Sequence, residues 1–196
     1  MSEPFMADVD LPVRPPAHAA PTRASDKRVG EKGRPYVIAT VGHPDLTAPA
    51  LQLIEEQLRS RLARFARAGG TGLVRAARGL PPVFGRAARS AGLALVTVLP
   101  ARGGLPALLR EPDRAAAGEL LILSERAELL EYDPEDRGSC IGADEHVLRN
   151  CSRLLAVWDG SPSTGRDATA HLVAFARSHG VPVDVLWPRG ARRSRP

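Results

Sequence analysis

The chain is expected to form one α/β domain with a Rossmann-like, three-layer fold and a mostly parallel sheet of five to six strands. Three observations predict this. Short apolar runs such as Val37-Ile38-Ala39-Thr40-Val41 and Leu154-Leu155-Ala156-Val157-Trp158 alternate with amphipathic stretches of helical period, the order of parallel strands joined by helical crossovers. The strand-like runs are apolar at nearly every position, as in strands covered on both faces. The length, 196 residues, suits one domain with flanking tails.

The elements follow in order. A first strand over residues 36–41 is broken by Gly42-His43-Pro44-Asp45-Leu46-Thr47. A helix over 48–67 places Leu51, Ile54, Leu58, Leu62 and Phe65 on one stripe. Thr47 is suited to cap it, Pro49 to its first turn, Gly69-Gly70 to its end, and Glu55 with Arg59 to an i,i+4 pair. A second strand covers 72–76, followed by Arg78-Gly79 and a short helix over 81–90 that ends at Gly92. The third strand, 93–99, stops at Pro100, and Arg102-Gly103-Gly104 make a loop. Residues 105–126 read as mostly helical with a break near Pro112; then come a short strand over 128–132, an acidic turn and a helix over 141–151. The clearest buried strand is 153–158. A Gly/Ser/Pro loop, a helix over 168–179 ending at Gly180, and a last strand over 181–187 complete the domain. Pro182 predicts an edge position for that strand.

Composition narrows the class. No apolar run reaches the roughly 18 residues of a membrane span, and no secretory leader is expected. Cys140 and Cys151 read as reduced thiols, so the expected compartment is the cytoplasm. Residues 1–34, rich in Pro, Ala and charge, are expected to be a disordered tail; residues 35–188 form the domain; residues 189–196 are a basic tail. The formal net charge is +5, and Arg189, Arg192, Arg193 and Arg195 in the tail account for most of it. That balance is poor support for nucleic acid as a partner of the folded domain. Inside the domain, residues 35–110 carry ten basic and three acidic side chains, and residues 111–188 carry seven and fourteen. Either one half presents a basic surface or the halves pair with each other.

Sheets of this kind bind ligands beyond the C-terminal ends of their strands, where the strand order reverses. The loop after the buried 153–158 strand is therefore the first candidate. It holds the candidate ligand residues Asp159, Gly160, Ser161, Ser163, Thr164, Gly165, Arg166 and, at the head of the next helix, Thr169; the alternative role for Asp167 or Thr169 is to cap that helix. Free backbone N–H groups and the helix dipole favour an anion there, the glycines permit close approach, and Arg166 adds a guanidinium. The spacing approaches a P-loop, but Arg166 stands at the lysine and Asp167 at the metal-binding hydroxyl, so that reading is rejected. The loop after the first strand adds Gly42, His43 and Asp45. Arg78 and Gly79 follow the second strand, and Arg102 the third. Cys140, His146 and Cys151 match no zinc spacing, and no metal or other cofactor is expected.

Three segments together, Val41-Gly42-His43-Pro44-Asp45-Leu46-Thr47, Leu154-Leu155-Ala156-Val157-Trp158-Asp159-Gly160 and Gly180-Val181-Pro182-Val183, resemble small actinobacterial proteins of the SLOG superfamily, which joins the DNA-processing protein A and Lonely Guy folds. The resemblance spans roughly residues 36–188 and implies a domain that binds nucleotides or nucleotide-derived ligands. Two positions depart from the family pattern. Gly79-Leu80-Pro81 stands where relatives carry a G-A-D-like turn, and Leu172 stands where Lonely Guy phosphoribohydrolases carry their catalytic glutamate. Leucine can neither accept a proton nor attack a sugar carbon.

The function expected first is nucleotide-type ligand binding or sensing, with enzyme activity left open and disfavoured by Leu172. The alternatives are cleavage or transfer of an N-glycosidic bond in a nucleoside phosphate, with His43, Asp45 or Asp159 in acid/base roles, and, ranked last, association with DNA through the arginine tail. The expected partner is a small nucleotide-like molecule, with a homodimer compatible with the sequence.

Overall fold

A β-branched apolar run extends as β1 (Val37–Gly42) in the computed structural model, which describes residues 36–194. The tail expected over residues 1–34 lies outside the described residues. After β1 come α1 (Ala48–Ala66), β2 (Thr71–Arg75), α2 (Leu80–Ser90), β3 (Ala94–Arg102), β4 (Leu105–Pro106), α3 (Glu111–Leu123), β5 (Arg126–Glu131), α4 (Arg137–Arg149), β6 (Arg153–Val157), α5 (Thr169–Ser178) and β7 (Val183–Leu186).

Six strands run parallel in the order β5-β3-β2-β1-β6-β7. Val96 pairs with Leu73 of β2 and with Arg126 of β5, so those two strands flank β3 on opposite edges. The chain therefore builds outward from β1 through β2, β3 and β5, then returns to lay β6 against the other edge of β1. The strand order reverses between β1 and β6, where Gly42 sits opposite Val157. β7 pairs with β6 at the end of the sheet, the edge position that Pro182 predicts.

Two apolar layers hold the sheet. On one face Ile54, Leu58, Leu62 and Phe65 of α1 pack with Val83, Phe84 and Ala87 of α2 and Leu120 of α3 over Ile38, Leu95, Leu155 and Val157. On the other, Val147 and Leu148 of α4 and Leu172, Val173 and Ala176 of α5 cover Ala39, Val41, Val96, Leu154 and Ala156. Neighbouring residues of β1 and β6 divide between the two faces, as period-two side chains must. Each fully buried Leu or Ile contributes roughly 2 kcal/mol through apolar area removed from water. Thr47 caps α1 by accepting from the Ala50 amide at 3.3 Å. Among the described residues no helix is long and apolar enough to cross a membrane.

The structure differs from the sequence expectation between residues 100 and 137. Gly103 and Gly104, with φ of 60° and 78°, turn the chain back, and Leu105-Pro106 pair antiparallel with Ala101 and Arg102 as a short seventh strand. Pro112 does not break a helix but occupies the first turn of α3, where its missing N–H costs nothing. β5 begins two residues earlier than expected, and α4 begins at Arg137, four residues earlier, because Asp136 caps it by accepting from the Ser139 amide at 2.6 Å. The last strand is shorter than read, Val183–Leu186.

At the reversal point backbones approach closely. A methyl group on Gly42 would lie 2.6 Å from Leu80 Cδ2, 2.8 Å from Val157 Cβ and 2.9 Å from the Val157 carbonyl oxygen. Gly42→Ala is therefore expected to destabilise the fold by about 2 kcal/mol through overpacking, read as a lower urea midpoint at unchanged slope. An unaltered midpoint would show that β1 and β6 separate freely here.

Candidate functional site

The reversal of strand order places the loop after β1 beside the loop after β6, and a histidine joins them. His43 is 1% exposed. Its Nδ1 lies 2.5 Å from Asp167 Oδ2, and its Nε2 lies 2.9 Å from Asp159 Oδ1 and 3.2 Å from the Asp159 amide. With Nδ1–H donating to Asp167, a neutral ring accepts the Asp159 N–H at Nε2; a doubly protonated ring donates to both carboxylates. Trp187 stands edge-on to the imidazole, with ring centroids 5.6 Å apart. Both nitrogens are engaged inside the protein, so His43 ties the two loops together and has no free nitrogen for general acid or base work.

The β6–α5 loop is organised by its own carboxylates. Asp159 Oδ1 accepts the Ser161 amide at 2.9 Å, and Asp167 Oδ1 accepts the Thr169 amide at 2.8 Å. Ser163 Oγ accepts the His171 amide at 2.8 Å, and Thr164 and Asp167 exchange backbone bonds. Many of the amides that the sequence reading offers to an anion are occupied from within the loop. The amides of Ser161, Thr164, Arg166, Asp167, Thr169 and His171 all donate within the loop or to its hydroxyls, and the Asp167 carboxylate already complements the positive end of α5.

What faces the cleft is guanidinium. A cleft of about 830 Å³ is lined by Pro44, Asp45, Arg78, Arg137, Thr164, Gly165, Arg166, Asp167, Arg193 and Ser194. Four arginines meet two aspartates there, and Arg193 is bonded to both of those, at 2.9 Å to Asp45 and 3.0 Å to Asp167. Arg137 donates to the Thr164 carbonyl at 3.1 Å. Among the described residues the guanidinium groups of Arg78 and Arg166 form no hydrogen bond or ion pair; their bonded atoms are the backbone amides. A smaller cleft of about 140 Å³ adjoins through Pro44 and Arg78 and is lined also by Gly42, His43, Arg75, Asp144 and Leu172. Arg75 grips Asp144 there in two bonds, 2.6 and 3.0 Å long.

The sequence candidates thus divide. Asp45, Arg78, Thr164, Gly165 and Arg166 line the larger cleft, and Gly42, His43 and Arg78 the smaller. Gly79 (φ 85°) starts α2, Gly160 (φ 90°) turns the loop, and Asp159, Ser161, Ser163 and Thr169 hold it from behind. Arg102 is turned away, 3.9 Å from Asp133. Sequence reading misses Arg137, Arg193, Arg75 and Asp144 as site residues and treats Asp167 only as a cap. Leu172 contributes an apolar side chain to the smaller cleft. Within the described part of the basic tail, Arg193 reaches into the site because its backbone pairs with Leu46, just before α1.

Solved proteins share this fold. The molybdenum cofactor carrier protein of Chlamydomonas reinhardtii matches with a TM-score of 0.50 at 19% identity, over 78% of this chain and 76% of that one. DNA processing protein A from Helicobacter pylori, a protein with a single-stranded DNA binding mode, matches with a TM-score of 0.56 at 14% identity, over 80% and 67%. At these identities the likeness establishes the fold alone. No protein-family model and no curated protein matches the sequence.

The carboxylates carry a pH signature. Burial alone would raise Asp159, but hydrogen bonds from Ser161 and the ring of His43 outweigh it and hold the carboxyl down at about 2. Asp167 is lowered in the same way, burial being outweighed by bonds from Thr169 and His43. A carboxyl held below its unfolded value binds fewer protons in the folded state. Its stabilisation is complete above about pH 4 and is lost as pH falls towards 2. Between pH 5 and 2 the protein is expected to lose about 2 kcal/mol more stability than Asp159→Asn, measured by urea unfolding. Parallel curves for the two proteins would contradict the hydrogen-bonded role of Asp159.

Proposed function

We propose that this domain binds a nucleotide or nucleotide-derived anion, as a binding or sensing module, in the cleft between the β1 turn and the β6–α5 loop. The observation that carries the reading is the pair of unengaged guanidinium groups, Arg78 and Arg166, on a cleft at the strand-order reversal. Guanidinium presents a rigid fork of donors that matches phosphate, and its charge-assisted bonds are about twice as strong as neutral ones. The adjoining narrow cleft, with Leu172, Val74 and Leu80 beside the Arg75–Asp144 pair, suits a planar group with polar edges, such as a base. The resemblance to the SLOG superfamily points to the same ligand class. Binding without turnover fits two features: leucine at the position of the family's glutamate, and a histidine with neither nitrogen free. Association with DNA draws less support, because Arg193 of the basic tail is bonded inside the site.

Millimolar nucleoside mono-, di- or cyclic phosphates are expected to raise the melting temperature, since a ligand that binds only the folded state stabilises it. Arg78→Ala and Arg166→Ala should each weaken binding at least tenfold by calorimetry, the loss of roughly 1.5–3 kcal/mol per charged hydrogen bond. Absence of any shift across the nucleotide panel would refute the reading.

A further inference from the structure

The segment beyond β7 returns across the first turn of α1. The Thr47 amide donates to the Arg192 carbonyl at 3.1 Å and the Ser194 amide to the Asp45 carbonyl at 2.6 Å, so Leu46 and Arg193 face each other as an antiparallel bridge. This backbone pairing aims the Arg193 side chain into the site. Its Nε donates to Asp45 Oδ1 at 2.9 Å, one terminal nitrogen to Ser161 Oγ at 2.8 Å, and the other to Asp167 Oδ2 at 3.0 Å. Asp159 Oδ2 lies 3.7 Å from the same guanidinium. Three carboxylates from two loops therefore surround one permanent cation.

Two consequences follow from charge. Arg78, Arg137 and Arg166 share the cleft with Asp45 and Asp167, and those carboxylates, left bare, would repel any phosphate the arginines attract. The same carboxylates with His43 bring their ligand atoms within 4.8 Å of one another, a spacing that can hold a metal ion, and oxygen-rich sets of this kind suit hard divalent cations. Arg193 fills that role from within the chain, hydrogen-bonded to two of the three members.

We propose that Arg193 is a built-in counter-cation that sets the sign of charge the site accepts. With it in place the charge of the aspartates is partly offset and their oxygens are occupied, divalent cations are kept out and the cleft is open to an anion. Without it the same aspartates accept a divalent metal ion. The anion half rests on the function proposed above; the metal half does not.

The test uses the full chain and two probes, Mn²⁺ and pyrophosphate, each titrated calorimetrically. Arg193→Ala is expected to bind Mn²⁺ at least tenfold more tightly than the unsubstituted protein, and adding Asp45→Asn should abolish the gain. Arg193→Lys, which keeps the charge but not the fork of donors, should bind Mn²⁺ less tightly than Arg193→Ala. Arg193→Gln, closer in shape, carries the comparison if the alanine variant does not fold. Pyrophosphate affinity should fall at least tenfold in Arg193→Ala and recover in part when Asp45→Asn is added, a rescue that a merely structural role for the segment would not produce. Folded Arg193→Ala or Arg193→Gln protein that binds Mn²⁺ no better than the parent overturns the inference. A parent that binds no pyrophosphate overturns the function proposed above and leaves the Mn²⁺ comparison standing.

Discussion

The contact between His43 and its two carboxylates holds together parts of the chain 116 and 124 residues apart. Closing so long a loop is costly in entropy, though the cost grows slowly with length, and the parallel pairing of β1 with β6 is what offsets it. Once Ile38 to Gly42 lie against Arg153 to Val157, the residues just beyond each strand have nowhere to go but together. A polar ring at 1% exposure would cost roughly 1–3 kcal/mol for each group left unbonded. Asp159 and Asp167 remove that cost, and His43 in return helps keep both carboxylates charged. The positions of Asp45, the β6–α5 loop and Arg193 all follow from this knot.

The charge asymmetry between the two halves of the domain has a structural resolution. Arg64, Arg75, Arg86, Arg89, Arg102 and Arg110 of the basic half each meet an acid of the other half, respectively Asp184, Asp144, Glu119, Glu125, Asp133 and Glu135. Most of these pairs are exposed and worth little individually. Together they offset much of the basic surface that the sequence leaves conceivable, six of the ten basic residues of that half being paired in this way, and the cationic character of the cleft depends on a few arginines at the strand ends.

Much of the fold was legible because it rests on local rules. The apolar runs of β1 and β6, the stripe from Leu51 to Phe65, and the Thr47 cap read directly from period and residue type. The hairpin at Gly103-Gly104 was not, because Leu105-Pro106 gains its strand character only by pairing with Ala101 and Arg102. For the candidate site, the reversal rule named two loops that the fold does bring together, and Gly42, His43, Asp45 and Asp159 converge there. Arg193 carried no local signal: its role depends on the chain crossing α1, and a short arginine-rich terminus has no periodicity to announce that. Arg137 was hidden because α4 begins a turn before its apolar pattern does, and Asp144, within the helix read over 141–151, is marked out only by the fold that brings it to Arg75.

The way the β6–α5 loop satisfies itself bears on what kind of recognition the cleft can offer. In a phosphate-binding loop built from amides, donors are fixed by the backbone and the helix dipole adds to them. Here Asp167 and Ser163 already occupy the Thr169 and His171 amides at the start of α5, and an anion at that point would meet a carboxylate. A phosphate entering the cleft would be met chiefly by side chains: Arg78 beyond β2, Arg166 in the loop and Arg137 at the start of α4. Guanidinium groups on flexible stems order on binding and lose rotamer entropy in doing so, so affinity per contact is lower than in a preformed nest, while the shape of the anion is less restricted. In a cleft of this construction charge would discriminate before shape, and the proposed balance between Arg193 and its three aspartates would then decide what enters.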